Sequence, residues 1–228
     1  MTPSAGPADP LDPVVVAGEI DREIRALPDQ TVQPVRAVRR AWSRRLRPAP
    51  AEAVAAVAMA LVDRQRWVAY ELLSHHPGGL DHLGVEEVER LGRGMADWAS
   101  VDAFGCTVSG PAWRRGRIPD AAVQRWAASP DRWWRRAALV STVPLNLRSR
   151  GGTGDAARTL DICRRLAADG DDMVVKALSW ALRQLVVWDP GAVRRFLDAH
   201  HDVLAARVRR EVRTKLETGR KHPARRAT

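Results

Sequence analysis

Trp98-Ala-Ser-Val-Asp102 sets a carboxylate four residues after an indole, so on a helix the two share one face about a turn apart. The word lies in a strongly basic chain, 228 residues with a formal net charge of +10. A polyanion-binding protein keeps carboxylates off its binding face, so an aspartate paired with a tryptophan here calls for a reason. Catalysis on a nucleic acid would supply one. The plainer alternative is a tryptophan packed in the core and an aspartate capping a helix that begins near Ala103.

Two further words carry residue types of the same kind. In Lys176-Ala-Leu-Ser-Trp180-Ala-Leu-Arg183 the residues Lys176, Trp180 and Arg183 recur at i, i+4 and i+7 and share a face, while Leu178, Ala181 and Leu182 take the other. An aromatic interleaved with cations suits a nucleic-acid groove. In Ser129-Pro-Asp-Arg-Trp-Trp-Arg135-Arg136-Ala-Ala-Leu139, Arg136 could grip a phosphate or pair with a carboxylate, both suited to a planar, permanently charged fork, or could simply be solvated. Trp113-Arg114-Arg115-Gly116-Arg117 adds a basic cluster. Arg114, Arg115, Arg117, Arg135, Lys176 and Arg183 are the expected DNA-binding residues.

Charge is unevenly placed. Residues 1–110 hold 12 basic and 15 acidic side chains, whereas residues 111–228 hold 25 and 12. The cationic second half would attract a phosphate backbone through counterion release, or present a solvated arginine-rich surface. Two isolated cysteines, Cys106 and Cys163, indicate neither a disulfide framework nor a thiolate zinc site. His75-His76 and His200-His201 are adjacent pairs without the i, i+4 spacing of a helical metal site, so they read as surface or helix-end histidines and no metal or other cofactor is expected. No phosphate-binding Gly-rich loop and no G-x-S-x-G elbow occurs, which counts against nucleotide hydrolysis and serine-esterase chemistry. No run of eighteen apolar residues exists and the N-terminus has no apolar signal region, so a reducing cytoplasm is the expected compartment, with association to the nucleoid through DNA.

The elements that must position these residues are helices. Strand signals are nearly absent, and Pro and Gly punctuate the chain mostly every ten to twenty residues. Ser129-Pro130-Asp131 and Asp189-Pro190 read as helix starts, each with a cap and a first-turn proline. Apolar stripes run through residues 53–61, 67–73, 85–98, 123–127, 171–187 and 203–216. Ten or eleven helices on short connections predict an all-α fold, either a compact bundle or, modestly favoured, a curved solenoid of helical hairpins. Residues 1–13 read as a disordered leader, 14–217 as the folded domain and 218–228 as a flexible basic tail.

In order and separation, Trp98-x-x-x-Asp102, Ser129-x-x-x-Trp133-x-x-Arg136-x-Ala138 and Lys176-Ala-Leu-Ser-Trp180-Ala-Leu-Arg183 followed by Asp189-Pro190 resemble the DNA alkylation repair enzyme family, the AlkD-like DNA glycosylases built from HEAT-like repeats. The resemblance runs from about Val35 to Leu216. It implies a C-shaped solenoid holding duplex DNA on a basic concave face, a monomer, and excision of cationic N3- or N7-alkylated purines without flipping the base into a pocket. It further implies that Asp102 is the catalytic aspartate, that Trp98 and Trp180 contact the deoxyribose, and that Arg136 lies beside the site and keeps Asp102 ionised. Asp171-Asp-Met-Val-Val175 lacks aromatics that some relatives carry, and residues 146–154 look like an extended basic connector. Some relatives bind branched DNA without catalysis, which leaves a silent DNA-binding repeat protein or an interaction scaffold as the alternatives.

Overall fold

A computed structural model describes residues 11–221; the rest of the leader and of the basic tail lie outside the described residues. Among the described residues every regular element is helical. The chain divides into two compact units, one ending at Leu83 and one beginning at Gly84.

The first unit holds α1 (Pro13–Arg25), α2 (Val32–Leu46), α3 (Ala51–Leu61) and α4 (Arg66–His75). The end of the expected leader is already structural: the Asp12 carboxylate accepts from Val14 N and Val15 N, and Pro13 fills the first turn where no N–H is needed. Ile20, Ile24, Trp42, Leu61, Tyr70 and Leu73 form the core. At its polar edges Trp42 Nε1 donates to Glu23 at 2.9 Å, and Arg39 Nε lies 2.7 Å from Glu71 Oε2 as an ion pair.

The second unit holds α5 (Val85–Gly92), α6 (Trp98–Phe104), α7 (Gly110–Arg114), α8 (Asp120–Ala127), α9 (Arg132–Asn146), α10 (Ala156–Arg165), α11 (Asp172–Leu185), α12 (Pro190–Ala199) and α13 (Ala206–Thr218). A π turn over Gly105–Ser109 joins α6 to α7 in one continuous rod. The stripe over residues 85–98 is not one helix: Gly94, at φ 73°, breaks it, and Asp97 starts α6 by accepting from Ala99 N and Ser100 N. Asp102 is therefore inside a helix and caps nothing. Asp131, not Ser129, caps α9, accepting from Trp133 N at 2.8 Å; the Ser129 hydroxyl instead accepts from Asp131 N. The Asp189-Pro190 start of α12 is as expected. His75 ends α4 and His200 caps α12, the helix-end positions read from their sequence.

Helix α9 is the axis of this unit. Every residue from Arg136 to Asn146 is buried, and α9 packs on the α6–α7 rod, α8, α10 and α11. Such a helix is apolar nearly all round, with hydroxyls and an amide where polarity can be satisfied internally. Ser141 Oγ meets Ser109 Oγ at 2.7 Å, and Asn146 Nδ2 donates to Thr159 Oγ1 at 2.8 Å.

Two glycines set how closely the rod approaches α9. A Cβ on Gly105 would stand 2.6 Å from Val140 Cγ1, and one on Gly110 would stand 2.6 Å from the Ser141 carbonyl oxygen. The segment expected as an extended connector is folded back instead. A short 3-10 turn over Arg148–Arg150 is followed by Gly151 and Gly154 at φ 77° and 90°, and Arg150 donates to the Cys106 carbonyl at 3.0 Å.

Gly105→Ala should lower stability by about 1–3 kcal/mol through overpacking against Val140. Gly18→Ala, a site in α1 with nothing within 4 Å of the added carbon, should raise it by roughly 0.5–1 kcal/mol through backbone entropy. Urea unfolding of both variants checks the contrast.

Candidate active site

The helix placements bring Trp98, Asp102, Arg136, Lys176, Trp180 and Arg183 to one cleft of about 670 Å³. Asp102 and Trp98 come from α6, with the side chains four residues apart as the sequence spacing requires. Arg136 comes from the first turns of α9, and Trp180 from the middle of α11. Trp98 is 57% exposed, so it is no core residue; Trp180 is half-buried between exposed Lys176 and half-buried Arg183.

Asp102 and Arg136 face each other fork to fork. Arg136 Nε donates to Oδ1 at 3.0 Å and Nη2 to Oδ2 at 2.9 Å, while Nη1 donates to the Met173 carbonyl at the start of α11. One guanidinium thus ties α6, α9 and α11 together. The Arg136 side chain is 6% exposed and Asp102 20%, so the pair is largely removed from water while an edge of the carboxylate faces the cleft.

Arg136 favours the ionised carboxylate, as expected from the sequence, and burial acts against it. Burial pushes the Asp102 carboxyl above its ordinary value of 3.8; the hydrogen bonds and charge of Arg136 oppose this without overcoming it, and Asp97 adds a small push upward. The two-oxygen fork suits an ionised carboxylate, yet loss of solvation is the larger influence. Arg136 fixes the carboxylate's orientation and offsets part of the burial.

The remaining cleft residues form a second charge network. Glu211 of α13 accepts from Ser179 Oγ at 2.7 Å and lies 3.8 Å from Arg183 and 3.9 Å from Arg207. Asp172 bridges Lys176 at 2.6 Å and Arg207 at 2.8 Å. The cations of the cleft are therefore held in place by carboxylates rather than left to repel one another. Glu211 was missed in the sequence, although an acid within Arg207-Val-Arg-Arg-Glu211-Val-Arg213 carries the signal that singled out Asp102.

Of the other basic residues, Arg135 pairs with Asp169 at 2.7 Å and donates to the Ser129 and Pro130 carbonyls. Arg114 donates to the Pro144 and Arg150 carbonyls, and burial pulls its pKa below the usual arginine range. Both side chains hold loops in place. Arg115 and Arg117 are exposed on the turn after α7 and do not line the cleft. Both cysteines are buried thiols, and burial pushes Cys106 up to about 12 and Cys163 in the same direction. Among the described residues no three His, Cys, Asp or Glu side chains come together as metal ligands, and no helix is long and apolar enough to cross a membrane.

The second unit thus brings a carboxylate, two indoles and several cations to one cleft. The chain belongs to the DNA alkylation repair enzyme family, whose model matches residues 30–216. No curated protein and no solved structure matches it.

Arg136→Met should cost about 3–5 kcal/mol of stability, because it leaves Asp102 buried without its partner. Adding Asp102→Asn should recover part of that loss, which a double-mutant cycle by urea unfolding measures. Trp98→Ala, at an exposed position, should change stability by less than about 0.5 kcal/mol.

Proposed function

We propose that this protein is a monofunctional DNA glycosylase that removes cationic N3- or N7-alkylated purines from duplex DNA and leaves an abasic site. The observation that carries the reading is the Asp102 carboxylate, oriented by two hydrogen bonds from Arg136 at a cleft shared with Trp98 and Trp180. Family membership supports DNA as the substrate.

The chemistry needs few groups. When the glycosidic bond breaks, both electrons pass to the purine nitrogen, whose positive charge they neutralise, so the base departs without a general acid. The charge moves to the deoxyribose, which becomes oxocarbenium-like. Asp102 stabilises that charge at short range and orients the water that adds to C1′. The water's second proton leaves through Asp102 to solvent, so the overall reaction releases one proton. The indole faces of Trp98 and Trp180 present negative quadrupole to the sugar. A carboxylate with a raised pKa is the better proton acceptor for this step. Excision with the base still stacked, on a curved helical solenoid, accords with the family resemblance and with an open cleft.

A second reading has an observation of its own. A bidentate aspartate–arginine pair joining three helices is also what a purely structural bridge looks like, and would suit a DNA-binding protein without catalysis. The two readings separate on one variant. Wild type should release 7-methylguanine or 3-methyladenine from duplex DNA, and Asp102→Asn should cut the single-turnover rate by about 10²–10⁴-fold with little change in DNA affinity. Equal losses of excision and binding would support the structural bridge; no release of either base by a wild type that binds DNA would refute the simple-lesion reading.

The pH dependence has a defined sign. Asp102 acts as its anion, so excision falls as pH drops through its pKa. The acid limb should lie above 3.8, because burial raises that value. Asp102→Glu should retain an acid limb and Asp102→Asn should not, which a pH profile of single-turnover rates reads directly.

A further inference from the structure

Helix α2 carries a charge pattern that the cleft does not use. Arg36, Arg40 and Arg44 recur at i, i+4 and i+8, and Arg47 follows three residues on as the helix's C-cap. These four fall on one stripe about 16 Å long at 1.5 Å per residue. Arg40, Arg44 and Arg47 are exposed, and none of them has a carboxylate partner among the described residues. No acidic residue occurs between Val32 and Pro50.

Two other arginines of the unit are paired with carboxylates. Arg39, turned toward the core beside the stripe, is buried against Glu71, and Arg25 pairs with Asp21 at 3.0 Å. Arg36 starts the stripe with its guanidinium 5.2 Å above the Trp67 ring of α4, and Arg45 at its flank stands 3.8 Å over Trp42. Like charges at i, i+4 oppose helix formation, and α2 has no acid to offset them. A linear polyanion would. The back of α2 is anchored by Trp42 and Arg39 in the core, so the stripe is presented on a fixed rod rather than a loop.

We propose that the Arg36–Arg40–Arg44–Arg47 stripe of α2 is a phosphate-backbone contact surface for duplex DNA, sharing no residue with the cleft that holds Asp102. The inference rests on the reading that this chain works on duplex DNA. A B-form strand offers a phosphate about every 3.4 Å of axis, so a stripe of this length can neutralise several phosphates without reading a base. Its arginines set affinity and salt dependence. They do not set the rate of the chemical step.

The test uses the full chain and a short undamaged duplex. Arg40→Gln, Arg44→Gln and Arg47→Gln are combined in one variant, whose fold is checked by circular dichroism and unfolding midpoint. The slope of log affinity against log salt should lessen by about 2–3, at roughly 0.9 for each phosphate that is no longer neutralised. A triple lysine variant at the same positions should restore most of the slope, because a point charge suffices to neutralise a phosphate. Single-turnover excision at saturating protein should remain within about twofold of wild type. An unchanged slope in the glutamine variant overturns the proposal even if excision is normal. A lessened slope with lysine rescue upholds it even if no base is released, so failure here and failure of the glycosylase reading are separate results. Failure of wild type to bind duplex DNA overturns it outright.

Discussion

The Arg136–Asp102 fork is the interaction on which the second unit is arranged. Its geometry needs α6, α9 and α11 to stand within one side-chain length of a common point, and the backbone is shaped to allow that. Gly105 and Gly110 let the α6–α7 rod lie against Val140 and Ser141 with no room for a methyl group. The π turn between them adds a residue to the rod's winding, re-aiming one end relative to the other. The third guanidinium nitrogen then reaches the Met173 carbonyl, so the helix bearing Trp180 is held by the same side chain that orients the aspartate. Position in this site is a property of packing far more than of the cleft surface.

Charge in the cleft is managed in two tiers. Asp102 is desolvated enough that its pKa rises despite a bidentate cation, which leaves it poised to respond to positive charge appearing nearby. Farther out, Asp172 and Glu211 hold Lys176, Arg183 and Arg207 in a network. Cations held by carboxylates present donors at fixed places instead of a diffuse positive field. A backbone phosphate arriving there would meet donors already ordered and would compete with those carboxylates for them.

The helical class and the core of the site were legible in the sequence for a simple reason: i, i+4 and i+7 spacing fixes which residues share a face before any tertiary contact forms. That is why Trp98 with Asp102, and Lys176 with Trp180 and Arg183, are together in the cleft. Cap assignment was less secure. At Ser129-Pro130-Asp131 two residue types compete for one role, and Asp131 takes it because its carboxylate reaches Trp133 N. The start of α6 at Asp97 was hidden by an apolar pattern that continues across Gly94. Contributions from distant sequence were not legible at all. Glu211 joins the cleft only once α13 packs on α11, and the π turn, the folded connector and the balance of influences on Asp102 all depend on burial that no local pattern encodes.

Cys106 sits in the π turn, four residues from Asp102, and Cys163 lies on α10; both are sealed in the interior. Only a thiolate takes an alkyl group readily, and a thiol whose pKa is pushed up to about 12 carries almost none of that form near neutrality. Neither buried thiol is therefore a ready sulfur nucleophile near neutrality. The same burial disfavours transfer of an alkyl group onto either cysteine.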